Sequence, residues 1–175
     1  KQEGHEVTGF EWGENFPGYD YDVVMHLGAI SSTTERDVNK IMEQNYDFSV
    51  WLLETCSRYG INLQYASSAS VYGDAVQEPM TEDHPFNNQN FYGATKICGE
   101  AMLRSFHHRY GLNYVGLRYM NVYGPRQDYH GAYIAVIMKM LDAIDKDFGS
   151  FDEFIQQYAD AAVNVVVDAD ADIEA

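Results

Sequence analysis

A phenol and an ammonium stand four residues apart in Tyr92-Gly93-Ala94-Thr95-Lys96, about one turn from each other on one helical face. A tyrosine hydroxyl titrates near pH ~10, so at neutral pH it is a poor base. A neighbouring cation favours the phenolate. Ser68, 24 residues before Tyr92, could hydrogen-bond the same substrate hydroxyl. Together the three side chains form a proton-transfer device suited to work beside a hydride acceptor. Spacing alone is also what a surface Tyr–Lys pair gives. The chemistry therefore depends on the elements that position these residues.

Four short runs, residues 5–10, 22–28, 62–67 and 113–119, are rich in Val, Tyr, Leu and Phe and read as strands. Most are apolar on both faces, which suits a sheet covered on both sides. Helical patterns separate them. Residues 35–58 turn Ile41, Tyr46, Phe48, Leu52 and Leu53 toward a core, with a Thr-x-x-Asp box at the start and Tyr59-Gly60 at the close. Residues 92–109 form a second helix ending at Tyr110-Gly111, and residues 132–146 and 151–167 a third and fourth. Strands alternating with such helices imply βαβ units, so the expected fold is an α/β domain with a doubly wound parallel sheet of Rossmann type. In such a sheet the chemistry gathers beyond the carboxyl ends of the strands. Those ends carry Glu11, then His26-Leu27-Gly28-Ala29, then Ser67-Ser68, then Arg118-Tyr119-Met120-Asn121.

Composition narrows the field. The 175 residues hold 11 Lys plus Arg against 27 Asp plus Glu, a formal charge of −16 that repels nucleic acid and anionic membranes. Seven of the acids follow Ser150, where there is no base, so residues 1–150 carry an ordinary −9. No apolar run approaches the roughly 20 residues of a bilayer span, and the polar residues 1–6, with no apolar run behind them, do not read as a signal peptide. Cys56 and Cys98 have neither disulfide-framework nor metal-ligand spacing; they read as small buried helix residues in a reducing cytoplasm, and no metal site is expected.

The order and spacing of five segments carry a resemblance. They are 23–29 (VVMHLGA), 45–49 (NYDFS), 66–73 (ASSASVYG), 92–96 (YGATK) and 117–126 (LRYMNVYGPR). Across about residues 4–147 the chain resembles the extended short-chain dehydrogenase/reductase family, in particular its nucleotide-sugar epimerases. The resemblance implies a catalytic trio of Ser68, Tyr92 and Lys96, with Lys96 also holding the ribose of a nicotinamide cofactor. Glu11 would bind the adenosine ribose hydroxyls, favouring NAD over NADP. His26, Leu27, Gly28, Ala29, Asn45, Ala66, Ser67, Tyr92 and Tyr119 would complete the cofactor site; for Asn45, tying down loop backbone is an equal reading. Ser31, Ser32, Thr33, Ser68, Ala69, Ser70, Asn121 and His130 would face a nucleotide-sugar substrate. A homodimer through helices 36–58 and 92–110 is implied as well.

Within that family two patterns compete. The run 31–37 (SSTTERD) looks like the heptose 6-epimerases, whereas 127–133 (QDYHGAY) looks like the UDP-glucose 4-epimerases; His130 stands where the heptose enzymes carry a second lysine. Ala69 and Ser70 replace the Asp-Glu pair of the sugar-nucleotide dehydratases, which favours epimerase or reductase chemistry. A non-catalytic binding module is the reading from another class. The family's Gly-rich first βα unit is not among the 14 glycines present, so residues 1–150 are expected to form an NAD-binding domain without it. Residues 151–175 are then a helix and acidic tail, the remnant of a small C-terminal substrate domain that is otherwise missing.

Overall fold

The seven residues of β2 (Asn62–Ser68) alternate in environment, with Leu63, Tyr65 and Ser67 buried on one side. β2 is the middle of a three-stranded parallel sheet in the computed structural model, which describes residues 4–122. β1 (Val23–His26) pairs with it so that His26 lies beside Tyr65, and β3 (Tyr114–Tyr119) so that Ser67 lies beside Arg118. The order β1-β2-β3 follows the chain, with helices in both crossovers. This is the α/β, Rossmann-type arrangement expected from the alternation of strands and helices.

The first crossover is one continuous helical stretch with a wide turn inside it. α1 (Val38–Ile41) leads into a π-helical turn (Met42–Asp47) and then α2 (Phe48–Tyr59). Asp37 caps the stretch by accepting from the Lys40 amide at 3.1 Å. The cap therefore falls at the end of the expected Thr-x-x-Asp box, and the helix begins three residues later than its apolar pattern suggests. Gly60 closes α2 in the left-handed region at φ 68°, a conformation glycine adopts without steric cost. α3 (Phe91–Tyr110) forms the second crossover and ends in the same way at Gly111. Val24, Leu52, Leu53, Cys56, Leu63, Tyr65, Leu103 and Phe106 make the core between the helices and the sheet.

Three expectations are corrected. Residues 5–10 form no strand: they make no ladder with any described strand, and Val7 is 59% exposed. An extended run without a paired neighbour or a buried face has nothing to stabilise it. The stretch is instead anchored by aromatics, with Phe10, Trp12 and Phe16 set against Phe48 and Trp51 of α2. The sheet is not covered on both faces among the described residues, since Val23, Met25 and Val115 are about half exposed. Cys98 is exposed, although Cys56 is buried as expected. The helices expected at 132–146 and 151–167, and the domain boundary at 150, lie outside the described residues.

Candidate active site

The start of α3 is built for close approach. Asn90 caps it, its Oδ1 accepting from the Gly93 amide at 2.8 Å. A β-carbon on Gly93 would sit 2.6 Å from the Ser70 carbonyl oxygen, so only glycine lets the helix touch the short 3-10 turn Ala69–Val71 there. One turn and a half further on, a β-carbon on Gly99 would run into the Tyr65 hydroxyl. These two glycines press the Tyr92 helix against β2 and the turn that follows it. Ser68 caps that turn: its Oγ accepts from the Ser70 amide at 3.2 Å and contacts the Ser70 hydroxyl at 3.2 Å.

Lys96 lies inside this seam at 3% exposure. Its Nζ donates to the Ala66 carbonyl at 2.7 Å and lies 5.7 Å from the Tyr92 ring and 4.8 Å from the Tyr65 ring. Burial pulls its pKa down to about 8, which still leaves the ammonium mostly charged at neutral pH. The structure thus brings Tyr92 and Lys96 together as the spacing predicts. Ser68 bonds within its own turn, to Ser70, and that turn meets α3 at Gly93.

A second group of partners ties β1 to this seam. His26 Nε2 lies 2.9 Å from the Ser49 hydroxyl, which itself donates to the Asn45 carbonyl. With that hydrogen committed, Ser49 must accept from His26, so the imidazole carries its proton on Nε2. Burial, and then the charge of Lys96, lower the His26 pKa to about 4. Asn45 sits buried in the wide helical turn. Its Oδ1 accepts from the Ile30 amide at 2.8 Å, and its Nδ2 donates to the Ile30 carbonyl at 3.0 Å and toward Thr95 Oγ1 at 3.3 Å. Thr95 in turn donates to the Tyr92 carbonyl at 2.8 Å. The asparagine does tie down loop backbone, and it does so within reach of the α3 residues that follow Tyr92.

A model of the NAD-dependent epimerase/dehydratase family matches residues 7–157. The chain belongs to that family. It is 38% identical over 118 residues to an ADP-L-glycero-D-manno-heptose-6-epimerase of Alkalilimnicola ehrlichii, covering 66% of this chain and 36% of that protein. Among solved structures, it is similar to a UDP-N-acetylglucosamine 4-epimerase from Methanobrevibacter ruminantium in complex with UDP-N-acetylmuramic acid. That match has 40% identity and a TM-score of 0.66, over 70% of this chain and 41% of that one. A UDP-glucose 4-epimerase from Thermus thermophilus in complex with NAD matches with 36% identity and a TM-score of 0.58, over 64% and 38%. The chain spans well under half the length of these relatives.

Against the family's pattern the remaining residues fall in three groups. Leu27, Gly28, Ser31 and Thr33 are exposed and Ala29 and Ser32 half-buried, all in the stretch leaving the carboxyl end of β1. Ala69, Ser70, Tyr119 and Asn121 lie at the same end of the sheet, beyond β2 and β3; Tyr119 accepts from Gln64 Nε2 at 3.2 Å. Ala66 and Ser67 are turned to protein partners, the Ala66 carbonyl to Lys96 and the Ser67 hydroxyl to Glu100 at 2.6 Å. Glu11 is exposed in a turn whose amide contacts Glu14, not at a strand end, because residues 5–10 form no strand. His130 lies outside the described residues. Among the described residues no group of His, Cys, Asp or Glu could hold a metal, and no helix is long and apolar enough to cross a membrane.

Sequence reasoning placed Arg118 at a strand end but passed over Glu100, with which it forms a bidentate ion pair at 2.8–2.9 Å. Burial alone would raise the Glu100 carboxyl, but hydrogen bonds from Arg118 and Ser67 outweigh it and hold its pKa below the usual value. The available signal was periodicity: Glu100 follows Lys96 by four residues on the same helical face.

Proposed function

We infer that the chain carries the proton-transfer half of an NAD-dependent nucleotide-sugar epimerase, with Ser68, Tyr92 and Lys96 as its catalytic residues. The observation that carries this reading is the buried Lys96 ammonium, held between the Tyr92 ring and the carboxyl end of β2. Only one of its three N–H donors has a hydrogen-bond acceptor among the described residues. The other two suit the hydroxyls of a nicotinamide ribose, so the residues present fit the cofactor. When bound, NAD supplies the hydride acceptor. Tyr92, beside the Lys96 ammonium, takes the proton of the sugar hydroxyl as a keto sugar forms, and returns it when the carbon is reduced from its other face. Ser68 Oγ holds the same hydroxyl. Leu27, Gly28, Ala29 and Tyr119 line the cofactor side; Ser31, Ser32, Thr33, Ala69, Ser70 and Asn121 face the sugar nucleotide. Glu11 is the residue that would prefer NAD over NADP.

Residues 1–150 are proposed as the cofactor domain and 151–175 as part of the substrate region, in a cytoplasmic homodimer joined through helices 36–58 and 92–110. Ala69 and Ser70 offer no carboxylate beside Ser68, which favours epimerisation over dehydration. The test is Tyr92→Phe in the full-length protein, assayed by NMR on a panel of nucleotide sugars that includes ADP-heptose and UDP-hexoses. Turnover is expected to fall ~10²–10⁴-fold with folding intact and no net NADH formed by the wild type. A Phe variant retaining most activity overturns the assignment of Tyr92. Stoichiometric consumption of NADPH would favour a reductase.

A further inference from the structure

The chain between Ser68 and Tyr92 is gripped by a single cation. Arg118, near the end of β3, sends Nε to Glu100 Oε1 at 2.9 Å and Nη2 to Glu100 Oε2 at 2.8 Å. Its remaining nitrogen, Nη1, donates to the Tyr72 hydroxyl at 3.1 Å and the Glu82 carbonyl at 2.8 Å. The rings of Tyr72 and Phe86 lie 5.1 and 5.0 Å from the guanidinium. Glu100 stands two turns beyond Tyr92 on α3 and also receives the Ser67 hydroxyl. One ion pair therefore touches α3, β2, β3 and three points along residues 72–86. Its side chains are only 18% and 14% exposed, and the fork geometry is bidentate. A pair of this kind is a weak contributor to net stability, because desolvation offsets the attraction. What it does fix is direction, since a planar guanidinium satisfies all these acceptors in one orientation only.

We propose that Glu100 and Arg118 are positioning residues that set Ser68 against Tyr92 by clamping the strand end and the loop between them. Ser67 is pinned by Glu100 and lies beside Arg118 in the sheet register. Ser68, the next residue, caps the turn that meets α3 at Gly93, so the clamp acts through Ser68 and does not meet the substrate itself. This role rests on the epimerase reading above for its chemical meaning, but the grip on the loop does not.

The decisive experiment places Arg118→Lys in the full-length protein, alone and together with Ser68→Ala. Lysine keeps the charge toward Glu100 but loses the fork and the Tyr72 and Glu82 contacts. The expected result is an about tenfold or greater fall in kcat with KM and bound NAD unchanged, shrinking to less than about twofold in the Ser68→Ala background. Glu100→Gln, which keeps the shape and the Ser67 contact, should show the same pattern more weakly and guards against a folding failure of the first variant. An equal loss with and without Ser68 overturns the proposal. Hydrogen exchange over residues 69–90 gives a readout independent of turnover: it should quicken in Arg118→Lys, and unchanged exchange also overturns the clamp. Faster exchange in a protein whose wild type turns over no nucleotide sugar would sink the functional reading and leave the clamp standing.

Discussion

Where α3 meets β2 and the turn after it, helix backbone packs directly on its neighbours; where the chain leaves β1 for α1, side chains mostly hold only their near neighbours. In the first region Gly93 and Gly99 leave no room for a side chain between α3 and the Ser70 carbonyl or the Tyr65 ring, and buried Lys96 and half-buried Glu100 bond to the strand itself. In the second, Ser32 contacts Thr34, Glu35 the amides of Arg36 and Asp37, and Asp37 the amide of Lys40. The Asn45 amide on Ile30 gives that stretch a long-range anchor. The contrast separates what must be fixed from what is free to vary. Proton transfer depends on tenths of an ångström, whereas an exposed run of hydroxyls can change its members without disturbing the fold beneath.

The largest expected effect lies where the two regions meet, at His26. Its pKa of about 4 in the folded protein, against 6.5 in the unfolded chain, means the unfolded state binds the extra proton first as pH falls. Stability is therefore lost between about pH 6.5 and 4, by roughly 3 kcal/mol for the full shift. Urea unfolding of wild type and His26→Gln across that range checks it; the variant should show a shallower loss on acidification. A matching slope in both proteins would mean that His26 carries none of the acid sensitivity.

Next comes the seam itself. Gly93→Ala forces a methyl group into the Ser70 carbonyl, a backbone atom that cannot swing away, and should cost about 1–3 kcal/mol despite alanine's better helix propensity. Chemical denaturation measures it, and a neutral or stabilising result would show that α3 can lift off the turn. On the looser side, Asp37→Ala removes only a helix cap and should cost about 1 kcal/mol. If that loss exceeded the one at Gly93, the contrast between the regions would be reversed.

Much of the seam was legible in the letters. Four-residue spacing put Tyr92 and Lys96 on one helical face, the apolar runs gave β2 and β3, and Gly60 and Gly111 marked where helices stop. Residues 5–10 misled because an apolar run says nothing about whether a strand has a neighbour to pair with. The pairing of Glu100 with Arg118 stayed hidden for a related reason: eighteen residues separate them, and only the parallel register carries the arginine to the helix that holds its partner. The closeness of Gly93 and Gly99 is likewise a tertiary fact, since an isolated helical glycine reads as a weak point until the surface opposite it is known.

The wide turn at Met42–Asp47 makes this part of the chain sensitive to length more than to spelling. Each residue of a helix advances the side chains by about 100°. Removing one residue there would tidy the winding and yet swing the Asn45 amide away from Ile30, releasing a long-range tether of the stretch beyond β1. Substitutions at the turn's exposed positions, such as Met42 and Glu43, leave that phase untouched. A single-codon deletion is thus the lesion to which this helix is most vulnerable, because it would damage the site while leaving the helix more regular than before.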